Sequence, residues 1–319
     1  MDLNSKIERK MEKTIIELCN NLNKAIHEPL FHNFYNIPNE LRYNQTFTSI
    51  DLIEDSQIAI DEYEKAKSNG KGGRSTLLLY GLLQSFFLQQ DGIYHLYKCI
   101  VDDTIKLNDF FELFSFDTEI REVRNDIAGH PSNRKKSEFY FIAKGATTKY
   151  RFRYAGYTPE FREVEVNLKT FISKQFDFVR QVLLFVQDDI NKKIEMKKGE
   201  HKNVQLNEMT IGIDRNIQLI YRGIRDNERN FQGEWGISGL KESIEKIRKE
   251  LNLRFNDNLP IGISESYRII DYILQRFNEW QKENQLFGNN DAEIFLDSLD
   301  KQLNELREML NEIDEKFNN

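Results

Sequence analysis

A mainly α-helical fold is what the sequence predicts, and three observations carry it. Apolar residues recur at helical spacing over most of the 319 residues, only 5 prolines interrupt them, and 30% of the chain is charged, enough to clothe the solvent faces of amphipathic helices. The 39% of apolar residues, with 12% aromatic, fill the core of one large or two ordinary domains.

Ile7, Met11, Ile15, Leu18, Leu22 and Ile26 fall on one face of a first helix that ends before Pro29. With the irregular, aromatic-containing stretch that follows, it forms an amino-terminal helix and arm over 1–50. A second helix is expected over 51–67. The glycine cluster SNGKGGRS at 68–75 lacks the spacing of a phosphate-binding loop and follows no strand, so it reads as a loop with Ser75 capping the next helix. That long helix runs to about Asp103 with Leu79, Leu82, Leu83, Phe86, Phe87, Ile93, Tyr94 and Tyr97 on its buried side. Gln90 and Asp91 interrupt its apolar character and need partners, for which a neighbouring arginine would serve.

The stretch EIREVRNDIAGHP, 119–131, belongs to a helix starting near Asp117. Ile120, Val123 and Ile127 share its inner face, Arg124 stands at the border with solvent, and Asp117 and Arg121 flank it on the same side. Gly129 is expected as a left-handed cap and Pro131 as the stop, leaving His130 just past the end, able to turn back towards Arg124. The period then changes to two: 137–143 and 148–155 form a β-hairpin around KGATT, and 162–166 is a possible third strand.

A helix over about 167–193 returns the chain to helical spacing, with Phe171, Phe178, Val182, Phe185 and Val186 inward. The highly charged stretch NKKIEMKKGEHKN supplies the expected linker, set at 196–205, between the region 51–195 and a second all-α region at 206–319. Helices are expected around 206–228, 238–254 and 264–286. Leu296, Leu299, Leu303, Leu306, Leu310, Ile313 and Phe317 make a heptad-like seam on the last one, which packs first against a helix of its own domain and second against a partner chain.

Composition narrows the function classes. Cys19 and Cys99 lie in apolar-periodic helices without a CxxC partner, so neither a disulfide framework nor a cysteine metal site is expected. The amino terminus lacks the apolar stretch of a signal peptide, and the apolar run at 77–88 is too short for a bilayer, so a cytoplasmic chain with no membrane contact is expected. A formal net charge of -7 argues against indiscriminate coating by nucleic acid. Between Arg121 and Arg153, however, nine basic residues face three acidic ones. Arg121, Arg134, Lys135, Lys136, Arg151 and Arg153 are the candidate RNA contacts within that cluster, although such a cluster also suits a plain solvated face.

Five histidines are available. His27 and His32 in HEPLFH are five apart with a proline between them, which turns them to different sides of a helix and rules out a shared zinc ion. His95 reads as a packed, hydrogen-bonded residue. No GxSxG, glycosidase acid pair or dinucleotide fingerprint is present. There remain Arg124 and His130. RNA is cut without metal when its own 2'-hydroxyl attacks the adjacent phosphorus, which needs a proton-moving group near neutrality and a fixed cation for the five-coordinate phosphate. Histidine and arginine supply these. Taken alone, the pair at a helix end also suits a simple structural stop.

RNDIAGH resembles the R-x(4-6)-H motif of the HEPN (higher eukaryotes and prokaryotes nucleotide-binding) superfamily, including the polar residue directly after the arginine. Residues 75–131 resemble that family's helix pair, with Gln90 or Asp91 as its polar member, and the resemblance covers about 50–195. It implies a HEPN-like helical bundle with a small β-hairpin insertion. It also implies a metal-independent endoribonuclease of toxin, abortive-infection or anti-phage type, acting as a homodimer without cofactor or metal. Arg124 would then hold the phosphate, His130 would move protons and Asn125 would position one or the other, with Gln90, Asp91 and Asp117 in supporting roles. An antitoxin or another defence-system component would be a partner. The sequence departs from one toxin class at Ser132, where that class carries a tyrosine. The rival expectation is a non-catalytic HEPN dimerisation, adaptor or nucleotide-sensing module, with a purely structural protein built on the terminal heptads third.

Overall fold

The computed structural model of the chain describes residues 14–27, 40–67, 73–129, 131–132, 138–143, 148–157 and 160–318. These are mainly helical, with one three-stranded antiparallel sheet. They form two compact units, the first taking the described residues up to Asn191 and the second those from Lys192.

In the first unit, α1 (Ile15–His27) opens on a reciprocal cap: the Thr14 hydroxyl accepts from the Glu17 N–H at 3.1 Å, and the Thr14 N–H donates to the Glu17 carboxylate at 2.7 Å. Its buried face of Ile15, Leu18, Cys19, Leu22 and Ile26 belongs to this unit. The second helix, α2 (Glu40–Lys65), begins eleven residues earlier than periodicity suggested. Its first turns carry mixed polar and apolar residues whose packing only the neighbouring helix reveals. α2 runs antiparallel to α3 (Gly73–Ile100): Arg42 donates to the Cys99 carbonyl at 2.8 Å, while further along Gln57 meets Gln89 at 3.0 Å.

A short helix that periodicity could not show, α4 (Leu107–Leu113), carries phenylalanines into an aromatic knot. Phe110, Phe111, Phe114 and Phe116 each pack on Phe178 at ring separations of 4.0–6.3 Å. α5 (Glu119–Arg124) follows and widens into a π turn over Asn125–Gly129.

The sheet has the order β1 (Phe139–Ile142), β2 (Arg151–Tyr157), β3 (Phe161–Asn167), with Phe139 opposite Tyr157 and Tyr157 opposite Phe161. The third strand, only possible from sequence, is thus a full member. One face of the sheet sends Phe152, Tyr154 and Val166 into a core shared with Leu82, Leu83 and Phe86 of α3 and with Ile120, Val123 and Ile127.

α6 (Leu168–His201) corrects the expected linker at 196–205, because the charged stretch stays helical to His201. Lysine and glutamate are good helix formers, and Glu195–Lys198 and Lys197–Glu200 pair at 3.6 and 3.5 Å along the axis. High charge here marks a solvated helix surface rather than a flexible tether.

The second unit contains α7 (Ile213–Arg225), α8 (Asn230–Phe255), α9 (Ile261–Lys282) and α10 (Asn290–Asn318). The seam from Leu296 to Phe317 is buried against α7, α8 and α9, the first of the two packings expected for it. At its end Arg254, wholly buried, donates to Glu250 at 3.1 Å and Asp314 at 3.0 Å, and Glu250 also meets His201 at 2.8 Å. Asp314 additionally accepts the Leu206 and Asn207 N–H groups, at 3.1 and 2.9 Å, which fixes the turn after α6.

Candidate functional site

Arg121 and Arg124, three positions apart, emerge on the same side of α5. Facing them, α3 presents Gln84, Phe87 and Asp91 at spacings of three and four, again one helix face. The two rows interlock around the Phe87 ring, over which the Arg121 and Arg124 guanidinium carbons lie at 4.2 and 4.1 Å.

The two cations are held in different ways. Arg121, its side chain 13% exposed, donates through Nη1 to Asp91 at 3.1 Å and Gln90 at 3.3 Å, and also lies over Phe111. Arg121, expected as an RNA contact, is thus anchored and paired with a carboxylate. Arg124 is half-buried and meets only uncharged acceptors among the described residues. Nε and Nη2 donate to Gln84 Oε1 at 3.3 and 2.9 Å, and Nη1 to Asn125 Oδ1 at 3.0 Å. Burial, and then the neighbouring Arg121 charge, draw its pKa below the ordinary value against the pull of Asp91. A guanidinium offers five N–H donors, so this arrangement fixes the plane and, among the described residues, leaves two donors without a partner, while the charge stays permanent at neutral pH.

The backbone after Arg124 explains the position. Gly129 does not have the left-handed conformation expected of a cap; the only positive-φ glycines among the described residues are Gly212 and Gly288. Instead the π turn brings Gly129 beneath the arginine, where an added Cβ would stand 2.9 Å from Arg124 Nη1 and 3.2 Å from Asn125 Oδ1. Glycine is needed here for close approach. In the same turn Asp126 is buried and accepts from the Tyr154 hydroxyl at 3.1 Å, and the Tyr140 N–H donates to the Pro131 carbonyl at 2.7 Å. Both bonds fasten the sheet to the turn.

Behind Arg121 lies a chain of side-chain amides. Arg121 donates to Gln90, Gln90 to Gln175 at 2.8 Å, Gln175 to Gln89 at 2.9 Å, Gln89 to Gln57 at 3.0 Å, and Gln57 to Asp61 at 2.8 Å. Gln89, Gln90 and Gln175 are buried in the bundle. An arginine can only donate and an ionised aspartate only accept, so the two ends force every amide between them to point the same way. The chain connects the arginine face to α2 through α3 and α6.

Other expected site residues fall elsewhere. Asp117 accepts the Glu119 N–H at 3.0 Å and pairs with Lys174 at 3.0 Å; these two contacts, in that order, hold its carboxyl below its usual pKa. It supports the start of α5 and does not contact either arginine. Arg151 and Arg153, expected as RNA contacts, are matched across the strands by Glu165 at 3.8 and 2.9 Å, with Glu163 also 3.9 Å from Arg153. His130, Arg134, Lys135 and Lys136 lie outside the described residues. Gln84 also joins the site; in sequence it stands alone within the apolar stretch LLLYGLLQSFFL and carries no signal beyond its i, i+7 relation to Asp91. Both cysteines are buried and free, and among the described residues no helix is long and apolar enough to cross a membrane. Comparison with family models, curated proteins and solved structures finds no match for this chain.

Proposed function

We propose that the chain is a HEPN-type, metal-independent endoribonuclease, acting as a homodimer in prokaryotic anti-phage or toxin-type defence. The observation that carries the reading is the Arg124 guanidinium, held by Gln84 and Asn125 over Phe87 with its charge unmatched by a carboxylate among the described residues. A purely structural arginine at a bundle rim is better served by a carboxylate, as Arg121 is by Asp91. A fixed cation with spare donors suits a phosphate whose negative charge grows during reaction.

The chemistry divides between two residues. The ribose 2'-oxygen forms a bond to phosphorus as its proton leaves, and the bond from phosphorus to the 5'-oxygen breaks as that oxygen gains a proton. The products are a 2',3'-cyclic phosphate and a 5'-hydroxyl. His130, six residues after Arg124, is the group assigned to these proton transfers, because imidazole is the side chain suited to gaining and losing a proton near neutral pH. Asn125 acts on Arg124, as a positioning residue.

The test is purified protein on single-stranded RNA with EDTA present. Cleavage to cyclic phosphate ends, lost by at least about a hundredfold in Arg124→Ala and in His130→Ala, is the expected outcome. Expression of the wild type should slow bacterial growth, and His130→Ala should relieve it. Absence of cleavage, or cleavage that needs added metal, overturns the reading.

A further inference from the structure

The outer face of the sheet carries four aromatic side chains that the core does not use. Side chains alternate along a strand, so the residues opposite the buried Phe152, Tyr154 and Val166 point away from the core. Phe139 and Phe141 on β1, Tyr157 on β2 and Phe161 on β3 occupy that outer face and are 48%, 50%, 44% and 57% exposed. Phe139, Tyr157 and Phe161 stand in one row by register, with successive ring centroids 5.6 and 5.5 Å apart. Beyond the rings the same face carries Arg153 and Glu165, which pair with each other.

We propose that this face is a base-stacking platform for single-stranded RNA. Exposed large apolar side chains gathered in one patch mark a binding surface. Two properties identify the occupant. First, four half-exposed rings offer roughly 400 Å² of apolar area, about half of what each partner contributes to a stable protein–protein interface. Second, the rings sit at neighbouring strand positions, with a spacing that places one unstacked base on each, and any base has a π face for a ring to meet. The choice of RNA rests on the ribonuclease reading. The sheet is fastened to the Arg124 turn through Tyr154–Asp126 and Tyr140–Pro131, so a strand held there stays attached to the element that bears the arginine. Because Arg151 and Arg153 are already paired, binding at this face should depend weakly on salt.

The experiment measures binding separately from cleavage. A fluorescein-labelled, 2'-O-methylated RNA decamer, which has no attacking hydroxyl, is titrated with the full chain and followed by anisotropy. Wild type should bind, whereas Phe139→Leu and Phe161→Leu should each weaken binding roughly tenfold and Phe161→Trp should retain it. Leucine keeps apolar area and removes the ring, and circular dichroism together with the Phe161→Trp variant separates lost stacking from lost fold. Leucine variants that bind as wild type overturn the platform. So does a dimer that dissociates in these variants while RNA binding is unchanged, since that result gives the face to a second copy. If the platform fails while cleavage persists, the ribonuclease reading stands; if the decamer binds as described while wild type leaves ordinary RNA intact, the platform stands alone.

Discussion

Gly129 lies directly beneath Arg124, so close that a Cβ would come within 2.9 Å of the guanidinium nitrogen Nη1. Real Cβ contacts are not this short, and the pressed group is the far end of a flexible side chain. Gly129→Ala therefore moves the arginine rather than the backbone, breaking its bonds to Gln84 and Asn125. Alanine favours helical backbone over glycine, so the stability change should be small, within about 1 kcal/mol of wild type in a urea titration. RNA cleavage should fall at least tenfold. If cleavage is unchanged in Gly129→Ala, the position of the arginine does not matter to the reaction.

Phe87 serves two cations with one ring, and this can be separated from its bulk. Phe87→Leu keeps most of the apolar volume but removes the π face beneath Arg121 and Arg124, at 4.2 and 4.1 Å. Cation–π attraction at partly exposed sites is worth about 0.5–1 kcal/mol each, so a loss of about 1–2 kcal/mol is expected. In an Arg121→Met, Arg124→Met background the same substitution should cost well under 1 kcal/mol. Equal costs in both backgrounds would show that Phe87 acts by packing alone.

Much of this arrangement was legible in the sequence, for identifiable reasons. The helices with strong apolar periodicity, such as Gly73–Ile100 and Asn290–Asn318, announce themselves because one face must be buried. The need of Gln90 and Asp91 for a cationic partner followed from the cost of burying polar groups, and Arg121 fills it. What remained hidden depends on tertiary approach. Nothing local says that Gly129 makes room for a side chain rather than taking a left-handed turn, or that Glu165 from the next strand neutralises Arg153. Gln84, Gln89 and Gln175 likewise become a site and a chain only when three helices meet.

Tyr63 links α2 to the strand connection by donating its hydroxyl to the Lys149 carbonyl, and burial, followed by the neighbouring Tyr150, pushes its pKa up to about 12. The unfolded chain loses this proton near pH 10, whereas the folded chain keeps it to about 12. Its contribution is therefore fully present below pH 10 and lost as pH rises through that window. Urea midpoints should fall across it by an amount equivalent to about 2 kcal/mol, and Tyr63→Phe should flatten that fall. An identical decline in both proteins would assign alkaline unfolding to other groups.

The amide chain from Arg121 to Asp61 makes a prediction about direction as well as strength. Gln175→Leu strands the Gln90 amide N–H and the Gln89 carbonyl, two buried polar groups worth about 1–3 kcal/mol each, so a loss of about 2–6 kcal/mol is expected. Gln175→Glu is more discriminating. A carboxylate there still accepts from Gln90 but sets an acceptor against the Gln89 oxygen, and Gln89 cannot flip without giving up its bond to Gln57. Ionised, the glutamate should cost at least as much as leucine. Burial raises its pKa, and once protonated it regains a donor, so its deficit relative to wild type should shrink as pH falls from 8 to 5. Urea unfolding of both proteins at the two pH values measures this. A deficit that does not change with pH would mean that the Gln175 position requires no donor, and the chain would then have no fixed direction.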